Sequence, residues 1–304
     1  MWLARSLTFL LAILLVFFLS RTLVRWLPGD PLETLMAETG TSWDPDLLKK
    51  EFHLDRPWSE SLWLDLKRAA RGDFGRSLLS REAVGPLVQR RLANTLVLAG
   101  TALALTLVFS LSLALLSQSE SFPFRRQADW LCSTYGGLSA ALPLPWLGPM
   151  ITYLLAVKFP IFDLGESVAL PALSIALVMA GFWARFIRAR IRESLRTPYA
   201  MNARARGLPE LNVLLKYGLF PVSGALVGFL GTQAGQLLTG SVVAEIIFDR
   251  PGMGSLLVES VLKRDYPIVE AAAFAGGVFC LLGNWLGTFA QTRVLRRAAG
   301  EEAA

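Results

Sequence analysis

The sequence predicts an all-α polytopic membrane protein of about six transmembrane helices, with a short helix in one cytoplasmic loop and a small extracytoplasmic element between the first two spans. Three observations predict it. Only 18% of the 304 residues are charged and 53% are hydrophobic, whereas an average soluble domain has about 25% and about 45–50%; the mean hydropathy, +0.46, agrees. The apolar residues are gathered into runs close to the roughly 20 residues that about 30 Å of hydrocarbon demands of a helix. Lys and Arg are distributed unequally between alternate connecting loops.

The expected spans run from Ser6 to Val24, Thr95 to Leu116, Leu131 to Val157, Val168 to Trp183, Val222 to Val243 and Ile268 to Phe289. The second, fifth and sixth are the clearest. The third contains Pro143 and Pro145 and is expected to be kinked or broken. Arg21 interrupts the first, where a long side chain can snorkel to the interface. Arg5 before an apolar run also fits a cleaved leader, but no A-x-A-like site precedes Arg21, so a retained anchor is expected.

Fourteen Lys and Arg residues fall in the segments that are inside if the N-terminus is cytoplasmic, against four in the outer short loops. The inner set is dominated by the loop between the fourth and fifth spans, from Arg185 to Lys216. By the positive-inside rule both termini are cytoplasmic and the number of spans is even. Basic residues beside spans meet anionic headgroups, so the formal charge of +6 needs no nucleic acid as partner. Four regions follow: 1–24, the first helix; 25–93, extracytoplasmic; 94–292, the core with its cytoplasmic loop 185–216; and 293–304, a cytoplasmic tail. Within 25–93, eleven basic and eleven acidic residues cancel. DPDLLKKEF there starts a helix at an Asp cap with Pro45 first, and SESLWLDLKRAARGDFG reads as an amphipathic helix ended by Gly72.

The catalytic inventory is thin. The single histidine is His53, and Cys132 and Cys280 sit apart in apolar spans, so no metal centre or redox pair is expected. No G-x-x-x-x-G-K-[ST] loop, G-x-S-x-G elbow or H-E-x-x-H pair occurs. No cofactor, metal or enzymatic activity is expected of this chain.

The most informative stretch is Tyr199-Ala-Met-Asn-Ala-Arg-Ala-Arg-Gly-Leu-Pro209 in the basic inner loop. Its interior is made of good helix formers, and Gly207 with Pro209 is a stop. A short helix at the inner membrane face is predicted. Ala200, Ala203 and Ala205 permit close approach of a partner, with Arg204 and Arg206 supplying charge. A plain juxtamembrane helix whose arginines bind lipid fits the same composition.

YAMNARARGL resembles the cytoplasmic loop of binding-protein-dependent permeases of ATP-binding-cassette importers, in the oligopeptide, dipeptide and nickel subgroup. Further elements match in order: LPGDP at Leu27 to Pro31, LDRP at Leu54 to Pro57, GDFGRSL at Gly72 to Leu78 and RLANTLVLA at Arg91 to Ala99. LPALSIAL with ARFIRARI, and GSVVAEIIFDRPGMGSLLVESVLKRDYPIV from Gly240 to Val269, complete the series. The chain departs from the pattern at His53, where the family has Gly before LDRP. Between Gly207 and Pro221 it is shorter by about one helical turn, with KYGLFP in place of a His-Ala-Leu-Arg-Asn pattern, and the tail lacks the usual acidic residue and Asp-Pro-Arg.

The resemblance implies the larger-looped member of a pair of permeases, working by alternating access with two ATPase chains and an extracytoplasmic solute-binding protein in a bacterial or archaeal plasma (inner) membrane. It assigns ATPase coupling to Tyr199, Ala203, Arg204, Ala205, Arg206, Gly207 and Leu208. It implies peptides as substrate, with nickel or another chelated metal as the alternative. Polar residues within spans are costly, which makes Thr232, Gln233, Gln236 and Asn284 candidates for the translocation path; interhelical hydrogen bonding is the competing role. Gly224, Gly228, Gly231, Gly235 and Gly240 are read as sites of close helix packing. A secondary transporter would need an ionisable site inside the membrane, and no Asp or Glu is evident there; a membrane scaffold is the other class.

Overall fold

The computed structural model describes residues 2–26, 58–69, 71–162 and 167–302. They are helical apart from short connections, and the one β-type pairing among them is an isolated bridge between Arg76 and Ala83. In chain order the helices are α1 (Trp2–Trp26), α2 (Trp58–Ala69), α3 (Val84–Gln118), α4 (Arg125–Ala141) and α5 (Leu144–Thr152), which runs into a π-helical turn, Tyr153–Lys158. Then come α6 (Ala169–Leu195) and α7 (Pro198–Ala205). A composite stretch follows, with a helical turn Glu210–Asn212, a π-helical segment Val213–Leu219 and a 3₁₀ turn Phe220–Val222. The last three are α8 (Ser223–Ile247), α9 (Met253–Leu262) and α10 (Tyr266–Glu302).

Four helical runs, Val84–Gln118, Ala169–Leu195, Glu210–Gln233 and Tyr266–Val294, are long and apolar enough to cross a membrane, and α1 contributes a shorter apolar stretch, Ser6–Thr22. The fold is thus the all-α polytopic class. The third expected span is broken, its two pieces meeting at 114°. Leu142 is extended, as residues before proline are, and Pro143 then caps α5, whose first turn holds Pro145. The helix expected over DPDLLKKEF lies outside the described residues. The amphipathic one is α2, closed by Gly72 at φ +76°.

The chain divides into two compact units, residues 1–95 with 251–281, and residues 96–250 with 282–304. In the first, Val84 and Val88 of α3 pack on Met253 and Leu256 of α9 and on Ile268, Ala271 and Ala272 of α10. Arg21 of α1 does not simply snorkel: its guanidinium is paired with the carboxylates of Asp65 in α2 and Glu270 in α10. A cation on an apolar helix costs less when carboxylates from neighbouring elements neutralise it. In the second unit, α4 and α6 meet at small residues. A Cβ on Gly136 would lie 3.0 Å from the Gly181 carbonyl, and Tyr135 donates its hydroxyl proton to the Leu177 carbonyl. Phe229 of α8 stacks on Phe186 of α6 at 4.4 Å between ring centres and meets Trp183 edge-on at 5.2 Å.

The close-packing reading of the glycines holds where α8 crosses α10. A methyl group on Gly231 would collide with the Cα of Gly287, and one on Gly287 with the Cα of Gly231; Gly228 faces the Gln291 side chain. Gly240 has nothing near enough to need its small size. Gly231→Ala is therefore expected to lower stability by about 1–3 kcal/mol through overpacking, while Gly240→Ala leaves it unchanged or improved. Thermal unfolding of the two variants in detergent checks the contrast.

Candidate functional site

Helix α7 is delimited by local backbone chemistry. Thr197 is extended (ψ 153°) and Pro198 follows at the first helical position, where its missing N–H is no loss. At the other end Gly207 takes φ +75°. Its N–H donates to the Arg204 carbonyl at 2.9 Å, and the Leu208 N–H reaches back to the Ala203 carbonyl at 3.3 Å. That pair of bonds is a Schellman turn, with Leu208 making the accompanying apolar contact.

The helix has two faces. Ala200 (0% exposed) and Ala203 (3%) sit in a core made by Ile187, Ile191 and Leu195 of α6 and Val213 and Leu214 of the π-helical segment. Tyr199 (72%) and Met201 (61%) are exposed, as are Asn202, Ala205, Arg206 and Gly207. Of the seven residues expected to act together, Ala203 and Leu208 thus anchor the helix, while Tyr199, Ala205, Arg206 and Gly207 look outward. Arg204 does neither: its Nε lies 3.2 Å from both carboxylate oxygens of Glu210 and its Nη2 2.6 Å from Oε1. The Glu210 hydrogen bonds push the Arg204 guanidinium above its usual range.

The floor under α7 depends on an irregular stretch of helix. Pro221 has no N–H, so the Tyr217 carbonyl loses its ordinary helical donor; the hydroxyl of Ser194, from α6, donates to that carbonyl at 2.7 Å. The close approach this needs is possible because residue 218 is glycine. A Cβ there would sit 3.1 Å from a Leu195 methyl and 3.3 Å from one of Ile191. Beyond the Gly207–Pro209 turn, residues 210–222 form a continuous run of α, π and 3₁₀ turns leading into α8.

The candidate path residues do not share one environment. Thr232 is exposed and donates its hydroxyl proton to the carbonyl of Gly228, in its own helix, at 3.2 Å. Gln233 is buried, Asn284 on α10 is exposed, and the side chain of Gln236 lies outside those described. One acidic residue, Glu270, falls inside the sixth expected span and corrects the expectation of a carboxylate-free interior; a second, Glu245, lies just beyond the fifth. Glu245 is fully buried near the end of α8, with the Ser241 hydroxyl at 3.4 Å, and Glu270 is on α10 beside Arg21. Each is a lone acid in an apolar run, which was the available signal. Among the described residues no group of three or more His, Cys, Asp or Glu is disposed to hold a metal ion.

In the first unit, motifs distant in sequence meet. Buried Asp265 accepts the Ser77 hydroxyl proton and, at 3.1 Å, the Leu78 N–H. That joins GDFGRSL to KRDYPIV. The Thr95 hydroxyl oxygen accepts the Met253 N–H at 2.7 Å, and the Asn94 amide donates to the Pro251 carbonyl at 2.8 Å, joining RLANTL to DRPGMG.

The described helices, several of them long and apolar enough to cross a membrane, with an eight-residue helix between α6 and the run entering α8, define a multi-pass all-α membrane protein. A family model described as the binding-protein-dependent transport system inner membrane component matches residues 106–300. The glutathione transport system permease protein GsiC of Escherichia coli (strain K12) is 32% identical over 253 residues, 82% of each chain. Its counterpart from Shigella boydii serotype 4 (strain Sb227) is 31% identical over the same shares. A crystal structure of an amino acid ABC transporter with histidines superposes with a TM-score of 0.53, covering 68% of this chain and 94% of that one; at 18% identity this likeness speaks to the fold alone. The chain belongs to the binding-protein-dependent transport system inner membrane component family. It is a permease subunit of an ATP-binding-cassette importer and a multi-pass inner-membrane protein, from a family that works with ATPases and binding proteins.

Ser194→Ala is expected to leave the Tyr217 carbonyl without its donor, at a cost of about 1–3 kcal/mol. Hydrogen–deuterium exchange is expected to rise in both α7 and residues 213–219, with the rest of α6 unaffected.

Proposed function

We propose that the chain forms half of a translocation pathway for peptides and takes its driving movement from a separate ATPase through α7 and residues 206–208. One observation carries the coupling reading: a helix begun at Pro198 and closed by a Schellman turn is buried along Ala200 and Ala203 and bare along Tyr199 and Met201, with Arg206 bare just past its end. The buried side joins it to both α6 and the run entering α8, so a push on the bare side reaches two membrane-crossing elements. A helix that served only to lay arginines on lipid would need neither the Schellman turn nor the ion pair that occupies Arg204. Movement transmitted in this way requires the ATPase to contact the two states of the permease differently.

Peptide as the substrate class rests on the permease relatives whose names assign them to glutathione transport, glutathione being a short peptide. The excess of Lys and Arg in the 185–216 loop supports cytoplasmic termini, with 25–93 outside and 293–304 inside. The working complex then holds this chain, a second homologous permease, two ATPase subunits and an extracytoplasmic binding protein, with ATP hydrolysed on the ATPases. Thr232, Gln233, Gln236 and Asn284 stay as path candidates, with Thr232 the weakest because its hydroxyl is already used within α8.

The test is uptake of labelled glutathione and di- to pentapeptides into vesicles holding the whole transporter with its binding protein. Tyr199→Asp is expected to lower binding-protein-stimulated ATP hydrolysis and uptake together by about 5- to 150-fold, the range of typical coupling energies. Stimulation and uptake that survive the substitution would remove α7 from the coupling role, and uptake of none of these peptides would remove the substrate class.

A further inference from the structure

Two arginines two positions apart, Arg204 in the last turn of α7 and Arg206 at its C-cap, have opposite surroundings. Arg206 is exposed and has no ion pair among the described residues. Arg204 is half-buried, grips Glu210 through two nitrogens, and has the Glu120 carboxylate at 4.0 Å. Glu120 belongs to the turn between α3 and α4, where it also faces Arg125 at 3.6 Å. Glu210 opens the helical run that continues into α8. A planar guanidinium meeting a carboxylate through two parallel bonds fixes direction as well as distance, which a lysine cannot do. Between the two partners lie only residues 205–209, including the left-handed Gly207 and Pro209. The ion pair therefore closes a small ring over the turn where α7 ends and the membrane-entering helix begins.

We propose that Arg204 and Glu210 form a positioning clasp that holds α7 at a set angle to the run entering α8, and that Arg206, not Arg204, faces the ATPase. The proposal rests on the coupling reading above. Arg204 acts through the geometry of the turn: with the clasp shut, displacement of α7 is carried into residues 210–222; with it open, the Gly207–Pro209 turn flexes and absorbs the displacement. Glu120 gives Arg204 a second carboxylate on the turn before α4, so the clasp also bears on that connection. Arg206, with no ion pair among the described residues, supplies the charge left available to a carboxylate of the ATPase.

The experiment uses the intact reconstituted transporter, with its paired permease, ATPases and binding protein. It reads stimulated ATP hydrolysis, uptake, affinity of the ATPase for the permease pair, and hydrogen–deuterium exchange over residues 198–222. Arg204→Ala, Glu210→Ala and Arg204→Lys are each expected to lower uptake about tenfold while ATPase affinity stays within about threefold, with faster exchange across 204–210. The reciprocal Arg204→Glu with Glu210→Arg pair is expected to restore uptake and slow exchange. Arg206→Glu is expected to weaken ATPase affinity about tenfold or more, with exchange unchanged. A reciprocal pair no better than its single members, or single variants that keep full coupling, would overturn the clasp. Arg206→Glu and Tyr199→Asp variants that bind the ATPase and couple normally would overturn the docking reading, whereas restored exchange protection in the reciprocal pair would still support the clasp.

Discussion

A backbone carbonyl that loses its helical donor inside a packed contact needs another partner, and Pro221 imposes that loss on Tyr217. The remedy is Ser194, one hydroxyl on another helix, and much of the packing around α7 follows from it. To reach Tyr217, α6 must lie almost against residues 213–219, which the missing side chain of Gly218 permits. Ile191 and Leu195 are then pressed onto Val213 and Leu214, and these four residues are the floor on which Ala200 and Ala203 rest. The small helix α7 is held in place by apolar contacts that a single backbone requirement brings together.

Features set by the nearest few residues could be read in advance. Gly207 and Pro209 mark the end of α7, and Gly72 the end of α2, because a left-handed cap needs only the local backbone. The break in the third span was legible at Pro143 for the same reason. The long spans were legible because hydrocarbon selects composition directly.

The rest depended on contacts between positions far apart in the chain. That Arg21 meets Asp65 and Glu270, or that Asp265 holds Ser77, follows from which helices pack together, and apolar periodicity is silent on that. Arg204 and Arg206 read as equivalent charges in a basic loop; only the position of Glu210 beyond the turn separates them. The glycines of α8 were recognisable as packing positions, but not which of them mattered. Gly231 has Gly287 opposite it and Gly240 has nothing, a distinction made by the crossing point of two helices.

Along α7 the residues that hold the helix and those that face outward alternate without overlap: Ala200, Ala203 and Leu208 hold, Tyr199, Asn202 and Arg206 face out. Pro198 and Gly207 fix where it starts and stops, so its eight residues cannot lengthen without losing one cap. Variation is therefore channelled. Substitutions on the outward side alter the exposed surface without disturbing how the helix is mounted, and each can be tolerated one at a time. A helix mounted in this way can change its outward chemistry by drifting along three or four surface positions while the mounting stays the same.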